Sequence, residues 1–458
     1  MAAARQAALA ALRQFYRQGA YADVALDRAL SRQAEQDGPM PRADSGFAAE
    51  LTYGTIRRKR TLDALIDCLG RKPAHQQPLA LRMVLQLGLY QLRYLPHIPE
   101  AAAVHTSVEL AKANRLRRLA SVVNGMLRQY ARQAASGTDP LPLPSDPTQR
   151  LGIAYSLPDW IVATWQQQLD AAETERLCAW CNQPPVVDLR INPLQTSRDH
   201  ALAAVAAGLP AGSNCEYVSA LPQALRLQGG AGSLQALPGY REGWWSVQDS
   251  SAQLVGHLLA PQPGEMVVDA CAAPGGKSTH IAELMGDCGT VWACDHDPRR
   301  LQKVRQNAQR LRLQAVRTQA GDVRALSQFQ TSADRVLLDA PCSGLGTLHR
   351  RPDLRWRQTP ARAAELAALQ RELLAHAAAW VKPGGVLVYA TCTLNSSENG
   401  EVVRAFLQAH PEWRIQPPSA HSPAAPFADP WGPIAIWPTR HQMDGFFMVR
   451  LQRASPPS

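Results

Sequence analysis

Apolar residues recur at helical spacing through the first third of the chain. Leu62, Leu65, Ile66 and Leu69 follow Thr61 and stop at Gly70. A capping residue, an apolar face and a terminating glycine predict an amphipathic helix. Leu81, Val84, Leu85, Leu89 and Leu92 repeat the pattern ahead of Pro96, and Leu116, Leu119, Val123, Met126 and Leu127 form a third stripe. Residues 1–135 are therefore expected to form an all-α bundle. Between Ser136 and Pro147 the chain reads SGTDPLPLPSDP, whose four prolines deny backbone donors and fix φ, so residues 136–148 are expected to be a linker.

Residues 149–240 carry weaker signals, a helix near Trp160–Leu169 and a strand at Val186–Ile191, which predict a small α+β middle domain. Beyond Gly264, short apolar runs at Met266–Ala270, Thr290–Cys294, Arg335–Leu338 and Val386–Tyr389 alternate with helical stretches. That alternation predicts a parallel sheet with crossover helices, a Rossmann-like α/β core over residues 241–458. A last run, Phe446–Leu451, arrives without a crossover helix of its own and is expected to be an antiparallel strand. The fold class is thus multidomain: all-α, then small α+β, then α/β.

Composition narrows the function. The 458 residues carry 48 basic and 38 acidic side chains, a net +10, and only six of the basic residues are lysine. The excess sits in residues 1–150, with 21 basic against 12 acidic, which makes a polyanionic partner plausible for the helical part. No stretch approaches the roughly 20 apolar residues of a membrane-spanning helix. The apolar run Ala7–Leu12, enclosed by Arg5 and Arg13, is short for a secretory signal. Nine irregularly spaced cysteines argue against a disulfide framework and for reduced thiols in a cytoplasm.

The strongest local feature is Val267-Val268-Asp269-Ala270-Cys271-Ala272-Ala273-Pro274-Gly275-Gly276-Lys277-Ser278, a strand entering a glycine-containing turn and then a helix. In a doubly wound sheet that turn lines the ligand crevice. The dinucleotide pattern G-x-G-x-x-G is absent. A Walker loop has Gly276-Lys277-Ser278 at its end but Cys271 where its first glycine belongs, which weakens phosphate binding without excluding it. Asp295 ends the next strand, twenty residues after Gly275, where a carboxylate accepts ribose hydroxyls, and Asp322 follows the third, placed for an adenine amino group. Together these suggest S-adenosylmethionine, although each aspartate alone is an ordinary strand-end residue. Two later strands also end at a cysteine, in Leu337-Leu338-Asp339-Ala340-Pro341-Cys342-Ser343 and Val388-Tyr389-Ala390-Thr391-Cys392-Thr393. A thiolate is suited to adding to an electron-poor ring carbon, and the residues alone leave open which thiol does so.

The Ala273–Lys277 loop, the Asp339–Ser343 motif and the Thr391-Cys392 pair together resemble the RNA cytosine-5 methyltransferases, as does the lead-in Val247-Gln248-Asp249-Ser250-Ser251-Ala252-Gln253. Phe47–Arg60, Gly88–Leu92 and Val123–Arg128 resemble the antitermination-factor-like helical domain carried by the branch that acts on bacterial 16S ribosomal RNA. The resemblance implies that Cys271, Ala272, Ala273, Pro274, Gly275, Gly276 and Lys277 cradle the methionine end of S-adenosylmethionine, with Asp295 at the ribose and Asp322 at the adenine. It implies further that Cys392 is the nucleophile, that Cys342 assists release of the covalent adduct, and that Asp339 sits against base and cofactor. The partner would be 16S ribosomal RNA with an unpaired or loop cytosine, since a base attacked from both faces must leave its stack. Neither metal nor membrane is implied.

Three basic clusters, Arg57-Arg58-Lys59-Arg60, Arg115-Arg117-Arg118, and Arg350-Arg351 with Arg355-Trp356-Arg357, are candidate phosphate contacts, with Trp356 available for stacking. Cys178-Ala179-Trp180-Cys181 spells half a zinc or redox motif but has no second pair at matching spacing. Two other readings remain at this point: a P-loop-type nucleotide hydrolase using Gly276-Lys277-Ser278, and a non-catalytic RNA-binding assembly factor.

Overall fold

The computed structural model describes residues 2–455. The chain forms two compact units: one runs to Gln183 and includes Leu348–Arg357, and the other comprises Pro184–Thr347 and the chain from Gln358 onward. The first unit is helical, with α1 (Ala2–Gln18), α2 (Ala22–Asp37), α3 (Arg42–Arg57), α4 (Lys59–Leu69), α5 (Leu79–Tyr94), α6 (Glu100–Ala113), α7 (Ala120–Ala135), α8 (Pro147–Tyr155), α9 (Asp159–Gln166) and α10 (Ala171–Trp180). The predicted stripes form its core, where Leu62, Leu65, Ile66, Leu81, Val84, Leu85, Leu89, Val123 and Leu127 lose nearly all solvent contact. One local expectation fails. Thr61 does not cap α4, which begins two residues earlier; its buried hydroxyl donates to the Ile153 carbonyl instead, 2.6 Å away.

Residues 136–146 form no helix or strand. Regular structure resumes at Pro147, the first helical residue, behind Asp146, whose carboxylate accepts the Gln149 amide at 2.8 Å. The helices α8–α10 belong to the first unit, so the expected middle segment of residues 149–240 divides after Gln183.

The second unit holds two sheets. Its elements are β1 (Val187–Ile191), α11 (Arg198–Gly208), β2 (Asn214–Tyr217), β3 (Ala224–Gln228), β4 (Trp245–Val247), α12 (Ser250–Leu259), β5 (Met266–Asp269), α13 (Gly276–Leu284), β6 (Thr290–Asp295), α14 (Pro298–Arg310), β7 (Val316–Ala320), β8 (Ala333–Asp339), α15 (Pro360–Ala379), β9 (Val381–Thr391), α16 (Gly400–Ala409), β10 (Trp413–Ile415), β11 (Ile434–Ile436), α17 (Pro438–His441) and β12 (Phe446–Arg453). The smaller sheet is antiparallel, in the order β2-β3-β1-β4, and packs Leu189, Ile191, Leu225, Leu227 and Trp245 against Val205 of α11.

The larger sheet runs β10-β12-β9-β8-β5-β6-β7, with β11 paired to β12. Strands β5 to β9 are mutually parallel, and β12 joins β9 antiparallel, as the missing crossover helix predicted. Side chains alternate between its two faces: Val336, Leu338, Leu387 and Tyr389 enter the core under α15 and α16, while Leu337, Val388 and Ala390 enter the core under α12 and α13. Chain order reverses at β5, which has β6 on one side and β8 on the other. The crevice outside the carboxyl ends of β5, β8 and β9 is therefore the topological switch point, where open α/β sheets bind ligands. Among the described residues no helix is long and apolar enough to cross a membrane.

Candidate active site

Both cysteine motifs open into that crevice. Strands β8 and β9 are neighbours in register, Asp339 opposite Ala390, so the turns that follow them emerge side by side. Their sulfurs, Cys342 Sγ and Cys392 Sγ, lie 3.4 Å apart, and both residues are half-buried. The hydrogen bond to Cys392, then burial, then the charges of Glu398 and Asp339 push the Cys342 thiol well above its ordinary value, so Cys342 keeps its proton. The Gly346 amide donates to the Cys392 carbonyl at 3.0 Å, a second tie between the two turns.

Lys277 joins the loop after β5 to this pair. Its ammonium donates to Asp339 at 2.6 Å and lies 5.2 Å from the centre of the Phe446 ring. Burial lowers its pKa, but the charge and hydrogen bond of Asp339, with smaller contributions from Cys392 and Asp269, raise it on balance. Lys277 therefore presents a positive charge against Asp339, in the electrostatic neighbourhood of the Cys392 thiol. The remainder of the loop is built for close approach: Gly275 sits at φ 102°, and a Cβ there would meet the backbone of Val304 at 3.0 Å.

At the foot of the loop Asp269 is fully buried. One oxygen accepts the Ser278 hydroxyl at 2.6 Å, the Cys271 amide lies against the carboxylate, and Oδ1 makes no well-formed hydrogen bond with the protein. Burial, partly offset by Ser278, pushes this carboxyl up to about 7. An open buried acceptor beside a glycine turn fits a ligand bearing an ammonium or N–H group, as the methionine end of S-adenosylmethionine does. Asp295 is buried and accepts the amides of Ala273 at 3.3 Å and Asp297 at 3.0 Å, besides the exposed Arg300 at 3.0 Å. Asp322 is half-exposed, and its hydrogen bonds with Arg324 hold it down to about 2. Both aspartates follow adjacent parallel strands, β6 and β7, on the side of the loop.

Arg190 escaped sequence reasoning because it lies on β1 of the smaller sheet, far from any motif. It is fully buried and reaches the loop that follows β5. Its guanidinium donates to the Gly276 carbonyl and Gln248 Oε1, each at 2.5 Å, to Thr279 Oγ1 at 3.0 Å, and to both oxygens of the buried Glu283 at 2.8 Å. An unpaired charge there would be costly, so the Glu283 partner on α13 is a condition of the arrangement. Two groups that a Walker loop commits to a nucleotide and its metal are engaged within the protein: Lys277 with Asp339, and Ser278 with Asp269.

Several of the basic residues proposed for RNA are structural. Arg355 is fully buried and spends its guanidinium on the carbonyls of Arg57, Ser156, Cys181 and Leu348 and on Asn182 Oδ1, so it is corrected from a phosphate contact to a core residue. Trp356 donates its indole N–H to the Ile56 carbonyl at 2.8 Å and packs on the helical core, which withdraws it from base stacking. Arg57 is half-buried and donates to the His349 carbonyl, Arg60 pairs with Asp159, and Arg357 pairs with Asp353. By contrast, Arg115, Arg117 and Arg118 are exposed. Cys178 and Cys181 are buried helical thiols, and among the described residues no group of His, Cys, Asp or Glu is arranged to hold a metal.

Comparison with known proteins agrees along the whole chain. The family model described as 16S rRNA methyltransferase RsmB/F matches residues 256–452, the NusB family model residues 2–132, and an RsmF/B-like ferredoxin-like domain residues 157–232. A relative from Synechocystis sp., the probable ribosomal RNA small subunit methyltransferase B, is 49% identical over 99% of this chain and 100% of its own. The protein of the same description from Bacillus subtilis is 34% identical, with 98% of each chain covered. Among solved structures, PH0851 superposes with a TM-score of 0.80 at 26% identity over 99% of both chains. NSun6 from Pyrococcus horikoshii, solved with SFG, shares the fold over 65% of this chain and 99% of its own, with a TM-score of 0.58 at 22% identity.

Proposed function

The chain belongs to the ribosomal RNA small subunit methyltransferase B family, and from that premise we propose that it methylates C5 of an unpaired cytosine in 16S ribosomal RNA through a covalent adduct between Cys392 and C6. The observation that carries the reading is the pair of thiols 3.4 Å apart at the ends of β8 and β9, with the Lys277–Asp339 ion pair beside them. As an rRNA methyltransferase the protein is an enzyme, so the readings as a nucleotide hydrolase and as a non-catalytic assembly factor fall away.

C5 of cytosine is a poor nucleophile within its aromatic ring. Adding the Cys392 sulfur to C6 breaks the C5–C6 π bond and leaves its electron pair, conjugated with the ring nitrogens, available at C5. Asp339, oriented by Lys277, would accept a hydrogen bond from the N4 amino group and hold the base against the thiol. Residues 271–277 with Asp269, Asp295 and Asp322 would hold S-adenosylmethionine, which would supply the electrophilic methyl group. Transfer of the C5 proton to water then returns the electron pair to the ring and expels the Cys392 thiolate. Cys342, a protonated thiol in contact with that sulfur, assists the release. Cys392 is the nucleophile in this assignment because it stands in the Thr-Cys motif that serves as nucleophile in the RNA cytosine-5 methyltransferases, and the nearby Lys277 charge favours a thiolate.

The test is a denaturing gel of the Cys342→Ala protein made in a bacterial cell, with and without ribonuclease. The expected result is a ribonuclease-sensitive slow band that vanishes when Cys392 is also changed to alanine. A band that persists in the double variant reverses the roles of the two thiols. Binding of S-adenosylhomocysteine by the intact protein tests the cofactor separately.

A further inference from the structure

Beyond the two thiols lies an adjacent pair of buried polar residues, Glu398 and Asn399, between β9 and α16. Four donors converge on the Glu398 carboxylate. The Ser343 amide reaches Oε2 at 2.8 Å, the Ser343 hydroxyl reaches Oε1 at 2.5 Å, Asn395 Nδ2 follows at 3.1 Å and Gln370 Nε2 at 3.2 Å. An ionised carboxylate only accepts, so it satisfies all four at once. Ser343 is the residue after Cys342. Its single hydroxyl hydrogen goes to Glu398, so the contact at 2.8 Å between the Ser343 and Thr393 hydroxyls has Thr393 as donor.

Asn399 treats the other thiol the same way. Its Oδ1 accepts the Thr391 hydroxyl at 2.6 Å, and its Nδ2 donates to the Thr393 carbonyl at 3.0 Å. Thr391 and Thr393 flank Cys392 on either side. The Tyr389 hydroxyl donates to the Glu398 carbonyl at 2.6 Å and anchors the pair to β9 itself.

We propose that Glu398 and Asn399 are positioning residues, one for each thiol: Glu398 sets the Cys342 turn, and Asn399 sets the Cys392 turn. Neither touches the reacting atoms, yet consecutive placement on one short segment makes the distance between the two sulfurs a property of that segment. The division of labour rests on the roles given above, nucleophile for Cys392 and release for Cys342. Displacing a reacting group by about 1 Å costs on the order of 100-fold in rate, so loosening either turn should slow the step its cysteine serves and leave the other.

The test compares Glu398→Gln with Asn399→Ala in the full chain, after thermal melting and S-adenosylhomocysteine binding have shown each to be folded. Glu398→Gln turns one acceptor into a donor facing donors. It should form the RNA adduct and release it slowly, giving a ribonuclease-sensitive band that needs Cys392. Asn399→Ala should cut adduct formation about 100-fold and give no band. Should Glu398→Gln fail to fold, Gln370→Ala removes one of the same hydrogen bonds, together with a tie to the Pro341 carbonyl, and must trap adduct; Thr391→Val likewise stands in for Asn399→Ala. Both variants losing rate alike without a band, or both matching the parent, overturns the inference. A swap, with the band in Asn399→Ala and no adduct in Glu398→Gln, keeps the positioning pair and reverses the roles of Cys342 and Cys392.

Discussion

Cys178-Ala179-Trp180-Cys181 and the pair Cys342 and Cys392 place the same side chain in opposite circumstances. The first two sulfurs sit three residues apart at the end of α10, buried, with the Cys181 thiol pushed up to about 12 by burial despite the opposing charges of Arg355 and Arg57. The second two are fifty residues apart in sequence and 3.4 Å apart in space, half-buried beyond the carboxyl ends of two neighbouring parallel strands. Proximity in sequence produced packing, and proximity across parallel strands brought two half-buried thiols into contact. A thiol needs both access and a stabilised anion to act, and the C-terminal edge of a parallel sheet supplies access that a packed helix denies.

The sharpest way to break this contrast is Cys392→Ala, which should reduce methyl transfer to 16S ribosomal RNA by roughly 10³-fold or more, the scale on which removing a nucleophile acts. A smaller loss measured with labelled cofactor would mean that the open pair is no more reactive than the buried one. Next comes Arg355→Ala beside the buried pair. It leaves four carbonyls and an amide oxygen without their donor, and urea unfolding should register a loss of about 3 kcal/mol or more. A loss below about 0.5 kcal/mol, the range of ordinary surface changes, would return Arg355 to the list of phosphate contacts.

Asp269 adds a pH dependence. Burial raises its folded pKa to about 7 from an unfolded value near 4, so between those values the folded state binds more protons than the unfolded one. Its contribution to stability falls as pH rises through that window and is constant above it. Subtracting the pH–stability curve of Asp269→Asn from that of the parent should isolate this decline, and a flat difference would show that Asp269 is ionised throughout. The smallest effect belongs to Cys178→Ala: about 1 kcal/mol of packing lost and unchanged methyl transfer. Lost activity in a stably folded Cys178→Ala protein would give the helical pair a role in the chemistry.

Periodicity made the core legible because it depends on burial of whole faces: the stripes at Leu62 and Leu81 are core helices, and the run Phe446–Leu451 is the antiparallel strand expected. The expectation failed where one residue's neighbours decide. Arg355, Trp356 and Arg57 look like a nucleic-acid patch in a linear reading, since nothing in RRPDLRWR says that the chain there enters the helical core. Arg190 and Glu283 were invisible for the complementary reason: the pair is 93 residues apart and belongs to no motif. Glu398 and Asn399 stand six and seven residues beyond Cys392, yet their hydrogen bonds run to turns from two strands.

By itself the sequence determined which segments bury apolar faces, the sheet class, the strand-turn-helix from Val267 to Ser278 and the family, because each of these is local in the chain or carried by a contiguous motif. Tertiary structure alone decided that two strand ends bring sulfur to sulfur, that Lys277 faces Asp339, and which arginines face solvent. Those are distances between residues far apart in sequence. They follow from strand order and register, which no single segment contains.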